Sequence, residues 1–331
     1  MLQQLLAEGR PLLADGATGT NLFEVGLTSG DNPEAWNATH PDRIRALHQS
    51  FVEAGAEIIL TNSFGGNRRR LALHGLESRV RELNRLAAEN ARAVADKAGR
   101  RIVVAGSVGP TGDHLAPLGT LTGEEAAEIF EEQIAGLREG GADVAWIETM
   151  SAAEEIRAAA RAAIRIGMPF VATASFDTAG RTMMGLAPDA FAELFDAFEA
   201  APLAFGANCG VGASDLLVSI LGMTLTRPDA VVVAKANAGV PQWHGAHIHY
   251  SGSPELMAIY AGLAVDAGAR IVGGCCGTKP THLAAMRRAL DAHQPGSRPD
   301  IAQIVAALGP LVSPPGAEPA VRSRRRAREG A

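Results

Sequence analysis

The chain has 331 residues, of which 47% are hydrophobic, and it carries a formal net charge of -6. A chain of this length can bury a sizeable core, folded either as one barrel or as two modest domains. The negative charge argues against nucleic acid as a partner, and no stretch reaches the roughly 18 uninterrupted apolar residues of a membrane helix. Residues 1–15 lack the pattern of a secretion signal, so a cytoplasmic protein without a membrane partner is expected.

Eight short apolar runs recur along the chain, and each ends in small, polar or glycine residues. They cover residues 11–18, 57–64, 101–109, 143–150, 169–177, 202–209, 230–237 and 269–276. Sequences such as IVVA and VVVA do not alternate with polar residues, which is typical of strands covered on both faces. The runs therefore predict eight buried, parallel strands.

Helical patterns lie between these runs. Thr122 and Glu125 form a predicted capping box ahead of an apolar face at 129–137, and Ser151 with Glu154 forms a second one. Further helices fit residues 44–52, 79–97, 188–199, 214–221, 254–267 and 280–292. Strands and helices thus alternate along most of the chain.

Eight strands alternating with helices within about one domain's length favour a closed barrel over an open doubly wound sheet. We therefore predict an α/β protein with a single (β/α)8 TIM barrel. The barrel is assigned to residues 1–311, including an extra C-terminal helix at 300–308. Residues 312–331 are rich in Pro, Gly, Ala and Arg with almost nothing to bury, which predicts a disordered basic tail.

Reactive groups in such barrels come from the C-terminal ends of the strands. Here those ends carry the segments 15–20 (DGATGT) and 61–64 (TNSF), then Glu148, the pair 208–209 (NC) and the segment 273–277 (GGCCG). All three cysteines of the chain therefore fall at the mouth of one face. Ordinary core cysteines have no reason to cluster there.

Three cysteines cannot form a paired disulfide framework, and clustered thiols in a reducing compartment indicate metal binding or catalysis. Catalytic zinc sites typically have three protein ligands and one open position. The sequence therefore predicts Zn²⁺ bound by Cys209, Cys275 and Cys276. Adjacent strand residues point to opposite faces, so Cys275 and Cys276 can share the ion only if the strand ends before them.

A zinc ion held by three thiolates favours another soft anion, such as the thiolate of a small thiol, as its fourth ligand. A metal-bound thiol loses its proton, whereas a free thiol with a pKa of about 8.5 stays mostly protonated at neutral pH. This predicts methyl transfer to the sulfur of a small amino-acid thiol. Asp15 and Glu148 are candidates for its ammonium, unless they serve as helix caps, and Thr61, Ser63 and amides near Gly16 are candidates for its carboxylate.

The same segments, together with 106–110 (GSVGP) and 237–239 (NAG), resemble the homocysteine S-methyltransferase family over nearly all of residues 8–293. The GGCCG block with the distant Asn-Cys pair is the most specific part. The resemblance implies a zinc-bearing barrel that makes methionine. It also implies Cys209, Cys275 and Cys276 as ligands, homocysteine sulfur in the fourth position, and Asp15, Thr61 and Glu148 facing homocysteine.

The methyl donor stays open, because members of this family use betaine, S-methylmethionine or methylcobalamin. Animal betaine enzymes carry tyrosines where this chain has Gly65 and Thr149, which resembles methionine synthases instead. The chain lacks folate and cobalamin domains, so a methylated corrinoid would come from a separate protein. A small cationic donor such as betaine would need an aromatic cage. The candidates for that cage are Trp36, Phe64, Trp146, Trp243 and Tyr250.

Two rival interpretations belong to other classes. His244, His247 and His249 could form a second metal cluster, as in histidine-metal hydrolases, although such enzymes draw ligands from several strands. A non-catalytic carrier domain that binds zinc or a thiol would keep the cysteines but would not need Asp15 or Glu148. The sequence is also compatible with a homo-oligomer.

Overall fold

The computed structural model describes residues 1–244 and 247–316, and it leaves the side chains of residues 241–249 undescribed. It contains one eight-stranded sheet and a separate two-stranded hairpin. The strands of the large sheet are β1 (Leu12–Leu13), β2 (Ile58–Leu60), β3 (Val103–Val108), β4 (Val144–Met150), β5 (Phe170–Ala174), β6 (Ala204–Cys209), β7 (Val232–Ala236) and β10 (Ala269–Gly274), and those of the hairpin are β8 (Pro241–His244) and β9 (His247–Tyr250).

The large sheet closes on itself. Its order is β1-β10-β7-β6-β5-β4-β3-β2, and the paired strands are parallel. Its two ends meet where the amide of Asp15 donates to the Ile58 carbonyl at 2.9 Å and the amide of Glu57 donates to the Leu13 carbonyl at 2.7 Å. Every strand of the sheet lies inside one of the eight apolar runs, which confirms the predicted (β/α)8 barrel.

Helices lie between successive strands of the large sheet, with a further short helix before β1 and two helices after β10. They are α1 (Leu2–Leu6), α2 (Thr18–Glu24), α3 (Trp36–Thr39), α4 (Pro41–Glu53), α5 (Arg68–Ala72), α6 (Val80–Ala95), α7 (Gly123–Glu139), α8 (Ala153–Ile166), α9 (Pro188–Glu193), α10 (Ala213–Thr226), α11 (Pro254–Asp266), α12 (Pro280–Ala292) and α13 (Ile301–Leu308). Within the described residues, no helix is long and apolar enough to cross a bilayer.

The interior of the barrel is filled by side chains from alternate strand positions, as expected for a packed barrel core. This inner cluster includes Leu12, Val103, Trp146 and Val233. The short helix α1 adds Leu2 and Leu5 to the same cluster and so closes the N-terminal end of the barrel. The C-terminal end is left for the functional groups.

The two predicted capping boxes had different outcomes. Thr122 and Glu125 cap α7 reciprocally, which confirms the first box. The second prediction is wrong, because α8 has Ala152 as its N-cap and no side-chain cap bond. The main chain of Ser151 is engaged elsewhere, since its carbonyl accepts a hydrogen bond from the Thr182 hydroxyl at 2.7 Å.

We expect Thr122→Ala to lower the free energy of unfolding by about 1 kcal/mol, because it removes the oxygen that accepts the amide hydrogen of Glu125. Ser151→Ala is the matched control and should change stability by less than about 0.5 kcal/mol. Urea unfolding followed by circular dichroism measures both. Equal losses in the two variants would contradict the assigned capping roles.

The C-terminal segment is tied to the barrel beyond the predicted boundary at residue 311. Helix α13 packs against the outer helices α10 and α11. We call residues 309–316 the strap. The amides of Val312 and Ser313 donate to the Asp215 carboxylate at 3.0 and 2.8 Å, and the Ser214 hydroxyl donates to the Gly309 carbonyl at 2.8 Å. The rest of the predicted tail, residues 317–331, lies outside the described residues.

Candidate metal and substrate site

The structure brings the three cysteines together at the C-terminal end of the barrel. Their sulfur atoms all lie within 4.8 Å of one another, and those of Cys209 and Cys276 are 3.9 Å apart. A tetrahedral zinc ion with bonds of about 2.3 Å places its sulfur ligands about 3.8 Å apart. The cysteine cluster, formed by Cys209, Cys275 and Cys276, therefore has the donor atoms and the spacing that fit zinc.

The backbone turns where the thiols emerge. Cys209 ends β6 in the left-handed region with a φ of 62°, and Gly210 follows with a φ of 75°. A non-glycine residue in this conformation is strained, and such residues concentrate at functional sites. Strand β10 ends at Gly274, so Cys275 and Cys276 both lie beyond it. This meets the condition under which two adjacent cysteines can share one metal ion.

Two asparagines hold the cysteine-bearing loops in place. The side-chain amide of Asn208 lies 3.7 Å from the Cys275 sulfur and donates to the Thr149 hydroxyl at 2.7 Å. The Asn237 carbonyl oxygen accepts from the Cys276 amide at 3.0 Å, and its amide group donates to the Gly210 carbonyl at 2.7 Å. Partners of this kind orient metal ligands. The sequence motifs contain both asparagines, but their spacing alone did not assign these contacts.

The packing of the thiols disfavours their ionisation. The contact with Cys275 lowers the pKa of Cys209, but the contact with Cys276 and burial outweigh it and raise that pKa to about 12. The contact with Cys209 lowers the pKa of Cys276, but Cys275 and burial raise it to about 12 as well. The contact with Cys209 also raises the pKa of Cys275. A bound divalent cation would offset this mutual repulsion and favour the thiolates.

A cavity of about 390 Å³ opens beside the cysteine cluster. Its polar wall contains hydroxyl, carboxyl and ammonium groups, and its outer wall contains aromatic rings. The polar wall residues include Thr61, Ser63, Ser107, Glu148 and Lys235, and the aromatic residues are Phe23, Phe64 and Tyr250. Such a volume holds a small molecule with charged ends.

Two of the predicted substrate residues, Thr61 and Glu148, line this cavity. Glu148 is 8% exposed, and its Oε1 accepts from the Ser107 hydroxyl at 2.5 Å. The Thr61 hydroxyl accepts from the Ser107 amide at 3.0 Å and shares a hydrogen bond of 2.6 Å with Ser63. Burial raises the pKa of Glu148, and the charge of Lys235 only partly offsets it. A cation that entered the cavity would therefore stabilise the Glu148 carboxylate.

The third predicted residue, Asp15, forms a buried ion pair with Lys235 at 2.8 Å. Burial lowers the pKa of Lys235, but the charges of Asp15 and Glu148 outweigh burial and raise it. The Lys235 ammonium also lies 5.8 Å from the centre of the Trp146 ring. Lys235 was not among the predicted site residues, although a lysine inside an apolar run predicted to be a buried strand needs a partner.

The predicted aromatic cage is present only in part. Phe64 and Tyr250 line the cavity, together with Phe23, which the sequence analysis did not name. Trp36 is buried against Arg43 instead. Trp146 belongs to the barrel interior. The side chains of Trp243, His244, His247 and His249 lie outside the described residues.

Together, these features define a (β/α)8 barrel with a cluster of three thiols beside a small-molecule cavity. A family model described as homocysteine S-methyltransferase matches residues 12–290. The chain therefore belongs to the homocysteine S-methyltransferase family.

Relatives and solved structures agree with this assignment. The chain is 32% identical to a methionine synthase of Mycobacterium tuberculosis and 30% identical to one of Mycobacterium leprae. The alignments cover 83% and 90% of the chain but only 24% and 26% of those proteins, so it spans about a quarter of their length. The metallated homocysteine methyltransferase MmuM of Escherichia coli superposes with a TM-score of 0.70 at 25% identity, covering 87% of this chain and 99% of MmuM.

Proposed function

We propose that the protein is a zinc-dependent methyltransferase that transfers a methyl group to homocysteine and forms methionine. The observation that carries this proposal is the convergence of Cys209, Cys275 and Cys276 next to a cavity with a buried acid. Membership of the family and similarity to proteins named methionine synthase and homocysteine methyltransferase support it. Three free thiols favour a reducing, cytoplasmic setting.

The three cysteines would hold the zinc ion, which when bound supplies a positive charge that keeps the homocysteine sulfur ionised. Glu148 would accept the substrate ammonium, and Thr61 would face the polar end of the substrate. Asp15, which does not itself line the cavity, would lie behind the polar wall, paired with Lys235. The sulfur lone pair then attacks the methyl carbon. The new S–C bond forms as the methyl-donor bond breaks, and the donor leaves with that electron pair. The cavity would hold the two reactants next to each other.

Two kinds of methyl donor are compatible with the proposed reaction. Three aromatic rings on the cavity wall, Phe23, Phe64 and Tyr250, support a small methylated cation such as betaine or S-methylmethionine, because ring faces attract such cations. Similarity to a quarter of a methionine synthase supports a methylated corrinoid as the donor instead. Both donors would approach the sulfur from the open side of the cavity.

The test is methionine formation by zinc-loaded protein with homocysteine and, separately, betaine, S-methylmethionine and methylcobalamin. Turnover with betaine or S-methylmethionine supports a self-sufficient enzyme. Turnover only with methylcobalamin supports a corrinoid partner. Binding of homocysteine without turnover by any donor would contradict the enzyme assignment and favour a non-catalytic carrier domain.

A further inference from the structure

The buried ion pair and one backbone amide together engage both carboxylate oxygens of Asp15. Its Oδ1 accepts from the Lys235 ammonium at 2.8 Å, and its Oδ2 accepts from the Leu60 amide at 2.7 Å. Asp15 is 0% exposed and Lys235 is 1% exposed. Lys235 contributes to the cavity wall, whereas Asp15 does not. The lysine therefore occupies the position at Asp15 that a substrate ammonium would need.

Within the described part of the chain, Glu148, unlike Asp15, has a hydrogen-bond partner on only one of its carboxylate oxygens. Its Oε1 is bound to the Ser107 hydroxyl, but its Oε2 has no hydrogen-bond partner among the residues that the structure describes. The residue contributes to the cavity wall. The charges of Asp15, Glu148 and Lys235 sum to one negative charge, which a single ammonium group neutralises. A carboxylate oxygen that is partly buried and free is the natural acceptor for that group.

We propose that Asp15 acts only through Lys235, as a positioning residue, and does not itself contact the ammonium group that Glu148 accepts. This inference rests on the proposed function and defines the role of Asp15 in it. A substrate ammonium at Asp15 would have to displace Lys235 and leave a buried cation without its partner, which is strongly unfavourable. Glu148 can accept the ammonium without breaking any bond that the structure contains.

Four zinc-loaded proteins test the proposal: the wild type, Glu148→Gln, Asp15→Asn and the double variant Asp15→Asn/Lys235→Met. The ligands are homocysteine and 4-mercaptobutyrate, a thiol acid of the same length that lacks the amino group. Isothermal titration calorimetry gives the Kd of each, and the ratio of the two Kd values measures recognition of the ammonium. Zinc content and thermal melts confirm that each variant is folded and loaded.

We expect Glu148→Gln to weaken homocysteine binding by about 10- to 100-fold, as for loss of a hydrogen bond to a charged group, and to abolish the preference over 4-mercaptobutyrate. Asp15→Asn should also weaken homocysteine binding, because the unpaired Lys235 charge then repels the ammonium. The double variant removes that charge, and the introduced asparagine can still accept from the Leu60 amide. It should therefore regain at least about tenfold of the lost affinity and keep the preference for homocysteine.

A double variant that has lost the preference as fully as Glu148→Gln would overturn the inference, because Asp15 would then contact the ammonium directly. Full preference retained in Glu148→Gln would overturn it as well. Wild-type protein that binds neither thiol would refute the proposed function itself and the inference with it. The double variant is used because Lys235→Met alone would leave Asp15 buried without a counter-charge and could prevent folding.

Discussion

Replacing Cys209 with alanine is expected to abolish stoichiometric zinc binding and to lower kcat by more than about 100-fold, since loss of a ligand costs more than loss of a ligand's hydrogen-bond partner. The barrel should stay folded, because Cys209 is only partly buried at the last position of β6 and removal of its sulfur leaves little void. Zinc content per chain, methionine formation and the circular dichroism spectrum measure the three expectations.

The same result is expected for Cys275→Ala and Cys276→Ala. Ser214→Ala is a suitable control, because Ser214 lies in the first turn of α10, the helix that follows β6, and its hydroxyl donates to the Gly309 carbonyl and not to the cluster. This control should keep its zinc and its activity and lose only a little stability. Full zinc content in all three cysteine variants would refute the assignment of the cluster as a metal site.

Trp146→Ala is expected to lower the free energy of unfolding by about 3–5 kcal/mol, the usual cost of removing a large aromatic side chain from a core. Trp146 is fully buried on the inner face of β4, where it packs in the interior cluster below the cavity. The substitution would also remove the indole ring that lies beside the Lys235 ammonium. Guanidinium unfolding with a constant m-value measures the loss.

Two comparisons isolate the cause of that loss. Trp146→Phe should cost much less, because the indole nitrogen has no hydrogen-bond partner among the described residues and phenylalanine loses only part of the volume. Phe23→Ala should change stability by less than about 0.5 kcal/mol, since Phe23 is 54% exposed at the cavity rim. Equal losses for the alanine and phenylalanine variants at position 146 would contradict the packing argument.

The strands and the cysteine cluster could be predicted from the sequence for a physical reason. Strands covered on both faces need uninterrupted apolar runs, and five of the eight runs ended in a segment with candidate functional residues. Parallel strands in a barrel bring their C-terminal ends to one face, so Cys209 and Cys275 could be predicted to meet despite their separation along the chain. The family resemblance pointed to the same residues.

Other features depended on contacts that no local pattern contains. The pairing of Asp15 with Lys235 joins β1 to β7, and only the closed barrel makes these strands near neighbours. The left-handed φ of 61° at Thr149 is also invisible in the sequence, because non-glycine residues rarely adopt it. Helix α1 has too few residues for a periodic pattern, yet Leu2 and Leu5 close the barrel. The hairpin of β8 and β9 was not predicted.

The strap determines where the polypeptide leaves the barrel. Asp215 and Ser214 hold it at the start of α10, and the Ala179 amide donates to the Ser313 hydroxyl at 2.6 Å, so the exit lies at the end of the barrel that carries the cysteine cluster. Helix α1 occupies the opposite end. A module fused behind the strap would be tethered at the same end of the barrel as the cavity, at an effective concentration of roughly millimolar for a short linker. Affinity tags for activity work therefore belong at the N-terminus, and a tethered methyl-carrying module belongs at the C-terminus.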